Sequence, residues 1–114
     1  MNVINRDTAQ HYRWGQGCDG WILAPSSDLL IIQERMPART SEQRHFHSKA
    51  RQFFFVLQGQ LTMELDGIVH QVPAMSGIEI APNSPHQARN DGESDVEFLV
   101  VSSPTTRGDR TDIG

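Results

Sequence analysis

From Trp21 to Val101 the chain is a succession of short apolar runs cut by turn residues, and no stretch carries a convincing helical period of 3.6. Trp21 to Pro25 reads as a short strand, and Ser26-Ser27-Asp28 as a turn. Leu29 to Met36 is rich in Leu and Ile, and Pro37 ends it. Phe53 to Leu57 is strongly apolar. Leu61, Met63 and Leu65 alternate with polar neighbours, so they share one face of a strand. Asp66-Gly67 is a two-residue hairpin signal, because both residue types accept positive φ. Ile68 to Val72 then returns, and Gly77 to Ala81, His86 to Asn90 and Val96 to Val101 complete the set. Many short strands with regular turns predict an all-β sandwich or barrel.

The flanks lack this rhythm. Residues 1–20 are polar and glycine-rich and read as an N-terminal arm with little structure of its own. Residues 21–102 form the β domain, and residues 103–114 read as a flexible tail. At 114 residues the chain suits one domain with one core.

Ten basic and 14 acidic residues give a net charge of -4. That balance argues against nucleic acid and against anionic membrane surfaces, which select clustered basic faces. Cys18 is the only cysteine, so no intrachain disulfide forms and no cysteine-rich zinc module exists. The N-terminus shows no apolar signal core, and no apolar run approaches a membrane span. A cytoplasmic location is the expectation.

Three histidines concentrate the chemistry. His45 and His47 flank Phe46, so on an extended backbone both imidazoles point the same way. Gln52 follows five residues after His47 and shares a face with Phe54 and Val56. His86 comes from a separate segment after a proline-rich turn. Three imidazoles plus an amide oxygen suit a transition metal.

The segment from His45 through Gln52 to Gly59 resembles the first cupin motif, G-x5-H-x-H-x4-E-x6-G. Residues 81–90 resemble the second, G-x5-P-x-G-x2-H-x3-N, with His86-x3-Asn90 matching fully. Gln52 stands where the family has a metal-binding Glu. Arg39, Met75 and Asn83 stand at motif glycines, and Ala81 at the motif proline. The resemblance implies a double-stranded β-helix, a jelly-roll cupin barrel of two antiparallel sheets. It further implies one divalent metal ion (Zn, Fe, Ni, Mn, Co or Cu) on His45, His47, Gln52 and His86. A small-molecule ligand in the barrel mouth and a homodimer pairing through residues 14–24 are also implied. An amide cancels no charge, so the Gln52 site would keep a formal +2, with weaker retention and greater Lewis acidity.

Three functions stay open at this point. The first is a metal-dependent enzyme, dioxygenase- or cyclase-like, acting on a small polar or aromatic molecule. The second is a non-catalytic small-molecule-binding cupin. The third is a metal-free isomerase or epimerase with His47 or His86 as general base. Glu34 and Glu79 are acid–base candidates if they face inward. Arg44, Arg51 and Arg89 flank the motifs, and one of them could reach an anion. His70 and His11 read as surface, Cys18 as an inert buried thiol, and Trp21 as core or interface. Phe53, Phe54, Phe55, Met36, Met63 and Met75 read as core or pocket fillers.

Overall fold

A computed structural model describes residues 3–114. Its strands run in the order β1 (Gln10–Trp14), β2 (Cys18–Pro25), β3 (Leu30–Met36), β4 (Thr40–Ser41), β5 (His45–Phe46) and β6 (Arg51–Gln58). Then come β7 (Gln60–Leu65), β8 (Ile68–Pro73), β9 (Gly77–Ile80), β10 (His86–Asn90), β11 (Val96–Ser103) and β12 (Thr111–Asp112). Among the described residues there is no helix, and hence none long and apolar enough to cross a membrane. The strands form two antiparallel sheets, ordered β1-β2-β3-β11-β6-β9 and β12-β5-β10-β7-β8, with β4 also on β10. This is the expected jelly roll.

The period of two sorts side chains as the sequence implies. On β6, Gln52, Phe54 and Val56 are buried, whereas Phe53 and Leu57 are exposed. Phe54, Val56, Leu61, Met63, Phe98 and Met36 pack between the sheets. Truncating a fully buried Phe98 to alanine costs about 3–5 kcal/mol at such a position. The Asp66-Gly67 hairpin forms, with φ of 50° and 86°. Phe53 departs from the core expectation, being 42% exposed, and Met75 likewise at 69%. Each sits outside the inter-sheet space, Phe53 by strand parity and Met75 on a turn.

The flanks are more ordered than their composition suggests. Residues 10–14 pair with β2, so the expected arm contributes an edge hairpin to the first sheet. Its sequence shows no alternation because an edge strand buries little on either face. In the expected flexible tail, Thr111 and Asp112 pair with Phe46 and His45. The Asp109 carboxylate accepts backbone N–H bonds from Ser48, Lys49 and Ala50 at 2.8, 3.0 and 2.9 Å. The tail is therefore stitched to the loop that follows the histidine pair. Polar stitching of this kind leaves no hydrophobic signature.

Candidate metal centre

His45 and His86 face each other across the β5–β10 pairing, directly in register. His47 follows β5 with its imidazole on the same side, ring centroids 4.8 Å from His45 and 5.8 Å from His86. One nitrogen from each ring lies within 4.8 Å of the others. All three are buried, at 3%, 6% and 0% exposure.

The three rings share one device. Nδ1 of His45 bonds the Gln43 carbonyl at 2.7 Å, and Nδ1 of His86 bonds the Ser84 carbonyl at 2.9 Å. Nδ1 of His47 bonds the Asp109 carbonyl. A carbonyl only accepts, so each Nδ1 carries the proton and each Nε2 presents a lone pair. Burial keeps the rings neutral. It pushes His45 down to about 3, with His86, Arg110 and His47 adding to the effect against the Gln43 hydrogen bond. Burial lowers His47 and His86 as well. Neutral imidazoles with fixed tautomers are prepared to ligate a metal.

Gln52 comes from the opposite sheet. Its Nε2 donates to Ser102 Oγ at 3.1 Å, a partner in register on β11. That bond leaves Gln52 Oε1 buried without a partner, and His86 Nε2 is in the same condition. Leaving a buried polar atom unsatisfied costs about 1–3 kcal/mol. Both orphans are acceptors, as are the Nε2 atoms of His45 and His47. A cation satisfies several acceptors together, whereas a single water has two protons to donate. The residues present therefore fit a metal ion.

The cavity beside the histidines has about 160 Å³ and is lined by His45, His47, Gln52 and Phe54 on the histidine side. Tyr12, Glu34, Glu42, Thr106 and Arg110 also line it. The first, second, third and last of these—Tyr12, Glu34, Glu42 and Arg110—continue into an outer pocket of about 390 Å³ with Trp14. Burial pushes the Glu34 carboxyl up to about 8, and the Glu42 charge adds to it. Burial raises Glu42 to about 7 against the Ala88 N–H that it accepts at 2.9 Å. Tyr12 Oη donates to Glu34 Oε2 at 3.3 Å.

Among the other candidates, Glu34 faces inward, but Glu79 faces out and pairs with Arg51 at 2.8 Å. Arg44 pairs with Glu64 and Arg89 with Asp91. His11 bonds Asp19 at 2.7 Å, and His70 lies on β8, away from the cluster. Cys18 is buried, and burial raises its thiol. Tyr12, Glu42, Asp109 and Arg110 were invisible to motif reading. Their roles depend on strand pairing and on the tail, and short-range spacing carries no signal for either.

Residues 32–102 match the family model described as the cupin domain. The chain belongs to the cupin family. It is 30% identical over 81 residues to "Polyketide synthase CurC" of Streptomyces cyaneus, covering 71% of this chain and 51% of that protein. It is 31% identical over 75 residues to "H2HPP isomerase" of Bacillus subtilis, covering 65% of this chain and 30% of that protein. The chain thus spans about half the length of the first relative and under a third of the second. In structure it resembles the polyketide cyclase RemF from Streptomyces resistomycificus. The TM-score is 0.79 at 19% identity, covering 92% of this chain and 80% of that one, which shows the common fold.

Proposed function

We propose that the protein is a metal-dependent cupin enzyme that moves protons on a small carbonyl or phenolic molecule, in the manner of a cyclase or isomerase. The observation that carries this reading is the pair of orphaned buried acceptors, Gln52 Oε1 and His86 Nε2, beside two further imidazoles with fixed tautomers. His45, His47, Gln52 and His86 would hold one divalent transition ion. Such an ion supplies Lewis acidity toward a carbonyl or enolate oxygen. The ligand set is uncharged, so the full +2 is available to stabilise negative charge on the substrate.

The chain's own residues shape the rest. Phe54, Ile32 and Val100 make the cavity floor and wall apolar and limit water near the reacting atoms. Arg110, 44% exposed, places a positive charge at the opening, although it also bonds Asp112 at 2.7 Å. The cyclase and isomerase named among the relatives support this reaction class over oxygen chemistry.

Elemental analysis of tag-free protein tests the reading, combined with turnover of a panel of diketones and polyphenolic ketones. One divalent transition ion per chain is expected, lost in His86→Ala and retained in His70→Ala. Protein that binds no ion with Zn, Ni, Fe and Mn in excess sinks the metal assignment. A site filled with metal but inert toward the whole panel points instead to a binding cupin.

A further inference from the structure

The cavity has a second chemical wall that the metal reading does not use. Three adjacent strands set Tyr12, Gly20 and Glu34 in one row, Tyr12 opposite Gly20 and Gly20 opposite Glu34. Glycine in the middle is a steric requirement. A Cβ at Gly20 would sit 2.3 Å from Tyr12 Cζ and 2.5 Å from its oxygen. The missing side chain lets the phenol cross β2 and reach Glu34 Oε2 on β3. Glu34 in turn lines the same cavity as His45, His47 and Gln52.

We propose that Glu34 is the proton-transfer group of this site, held in place by Tyr12 through the gap at Gly20, and that the substrate is an enolisable ketone or 2-oxo acid lying between Glu34 and the histidines. This rests on the enzymatic reading above. The Glu34 carboxylate takes a proton from the carbon next to the carbonyl. The C–H electron pair becomes the C=C bond of the enolate, and the carbonyl π pair moves onto oxygen. The Glu34 carboxyl, whose proton exchanges with solvent through the outer pocket, then delivers a proton to that carbon or to the conjugated one, and the carboxylate is restored. No electrons are gained or lost, so no co-reactant is needed.

The surroundings suit this role. A general base works best when its pKa lies near the working pH, and Glu34 is pushed up to about 8, chiefly by burial. The charged or titratable groups around it are Tyr12 from β1, the Cys18 thiol from β2, Glu42 from the loop before β5, Arg110 from the tail, and His45 and His47 across the cavity. Glu79, the other acidic candidate, is spent on Arg51 at the outer surface.

The test follows hydrogen–deuterium exchange of 2-tetralone and of pyruvate in D2O by proton NMR, using the full chain as purified and after zinc loading. Wild type is expected to accelerate exchange of at least one probe over buffer. Glu34→Gln should lower that acceleration about 100-fold or more while zinc content stays at the wild-type level. Tyr12→Phe should lower it about 3- to 10-fold and move the midpoint of the pH profile upward, because the phenol hydrogen bond holds the Glu34 carboxyl down. Gly20→Ala should reproduce the Tyr12→Phe profile; if it does not fold, Tyr12→Phe carries this arm alone. Exchange by Glu34→Gln within about threefold of wild type overturns the proposal, as does a wild-type rate equal to buffer with both probes. The two readings separate cleanly. Glu34-dependent exchange in protein that takes up no metal keeps this inference and removes the metal. Exchange lost with zinc in His47→Ala but intact in Glu34→Gln does the reverse.

Discussion

The two walls of the cavity are held in different ways. On the histidine wall each imidazole is pinned by a backbone carbonyl, and two of those carbonyls lie two residues away in the chain. On the acid wall Glu34 is held by a side chain, Tyr12, two strands away and 22 positions distant in sequence. The first arrangement is local for His45 and His86, and only His47 depends on a distant segment, the tail at Asp109. The second exists only when β1, β2 and β3 are in register. Yet one force acts on both. Desolvation penalises whichever form is charged, so it drives the imidazoles down and the carboxyls up. Below about pH 7 the imidazoles and the two carboxyls are thereby mostly uncharged, and a metal ion would be the dominant charge between them.

The largest effect expected from this comparison comes from placing a charge among the uncharged groups His45, His47, Gln52 and His86. Gln52→Glu buries a carboxylate where an uncharged amide now sits at 6% exposure. Without metal that carboxylate must stay unpaired or take up a proton, at a cost of up to about 3–5 kcal/mol. With zinc the same carboxylate becomes a ligand and offsets the ion's charge. Thermal unfolding should therefore become strongly zinc-dependent in Gln52→Glu, and more so than in wild type. Equal zinc-induced shifts in the two proteins would place the ion away from Gln52.

The tail's contribution to the histidine wall ranks next. Asp109 satisfies three N–H groups of the 48–50 loop and its carbonyl pins His47. Burial opposes the charge on Asp109, but the three donors and His47 outweigh it and hold the carboxyl below its ordinary value. Asp109→Ala should cost about 2 kcal/mol in urea unfolding and weaken zinc retention. Asp109→Asn should recover part of both, since one amide oxygen still accepts. No loss of zinc retention in Asp109→Ala would show that the loop holds His47 without the tail.

The walls should also oppose each other in pH dependence. His45 is lowered from 6.5 to about 3, so between these values the unfolded chain binds more protons. Its contribution to stability is complete above 6.5 and is lost as pH falls toward 3. Glu34 is raised from 4.5 to about 8, so there the folded chain binds more protons. Its contribution is complete below 4.5 and is lost as pH rises through 8. Each slope reaches at most about 1.4 kcal/mol per pH unit, and the two cancel between 4.5 and 6.5. Metal-free Glu34→Gln should gain stability relative to wild type from pH 6.5 to 8. Parallel curves over that window would mean that Glu34 is ionised in the folded protein.

The same contrast decides what the sequence could reveal. His45, His47, Gln52 and His86 announce themselves through short spacings, because a strand of period two converts spacing directly into direction. The β6 and β7 alternations are legible for the same reason. Glu34 was recognisable only as an acid of unknown facing. Tyr12, Gly20 and Asp109 carry no local sign, since their partners lie 22, 14 and about 60 positions away. The outer strand β1 and the short β12 are equally silent, being built mainly from polar residues. The motif glycines behave otherwise. Arg39, Met75 and Asn83 stand at those positions and keep positive φ of 62°, 65° and 66°, so backbone shape persists without the residue that favours it. Gly59 is different again, because a Cβ there would meet the Asp95 carbonyl oxygen at 2.5 Å.

Asn83 supplies the smallest of these effects and the sharpest check on the local character of the histidine wall. It occupies the turn that delivers His86, and its N–H donates to the His47 carbonyl at 2.7 Å, so this turn joins two histidine segments through backbone atoms. Its side chain has no hydrogen bond among the described residues. Asparagine tolerates the left-handed region better than most residues, and glycine tolerates it best. Asn83→Gly should therefore change stability by only a few tenths of a kcal/mol, whereas Asn83→Ala should cost about 1 kcal/mol. Neither should alter zinc stoichiometry, because every bond that orients His47 and His86 is made without the Asn83 side chain. Measured by urea unfolding and elemental analysis together, a loss of zinc in Asn83→Gly would show that the side chain itself supports the site, and the distinction between a backbone-built wall and a side-chain-built wall would fail at that point.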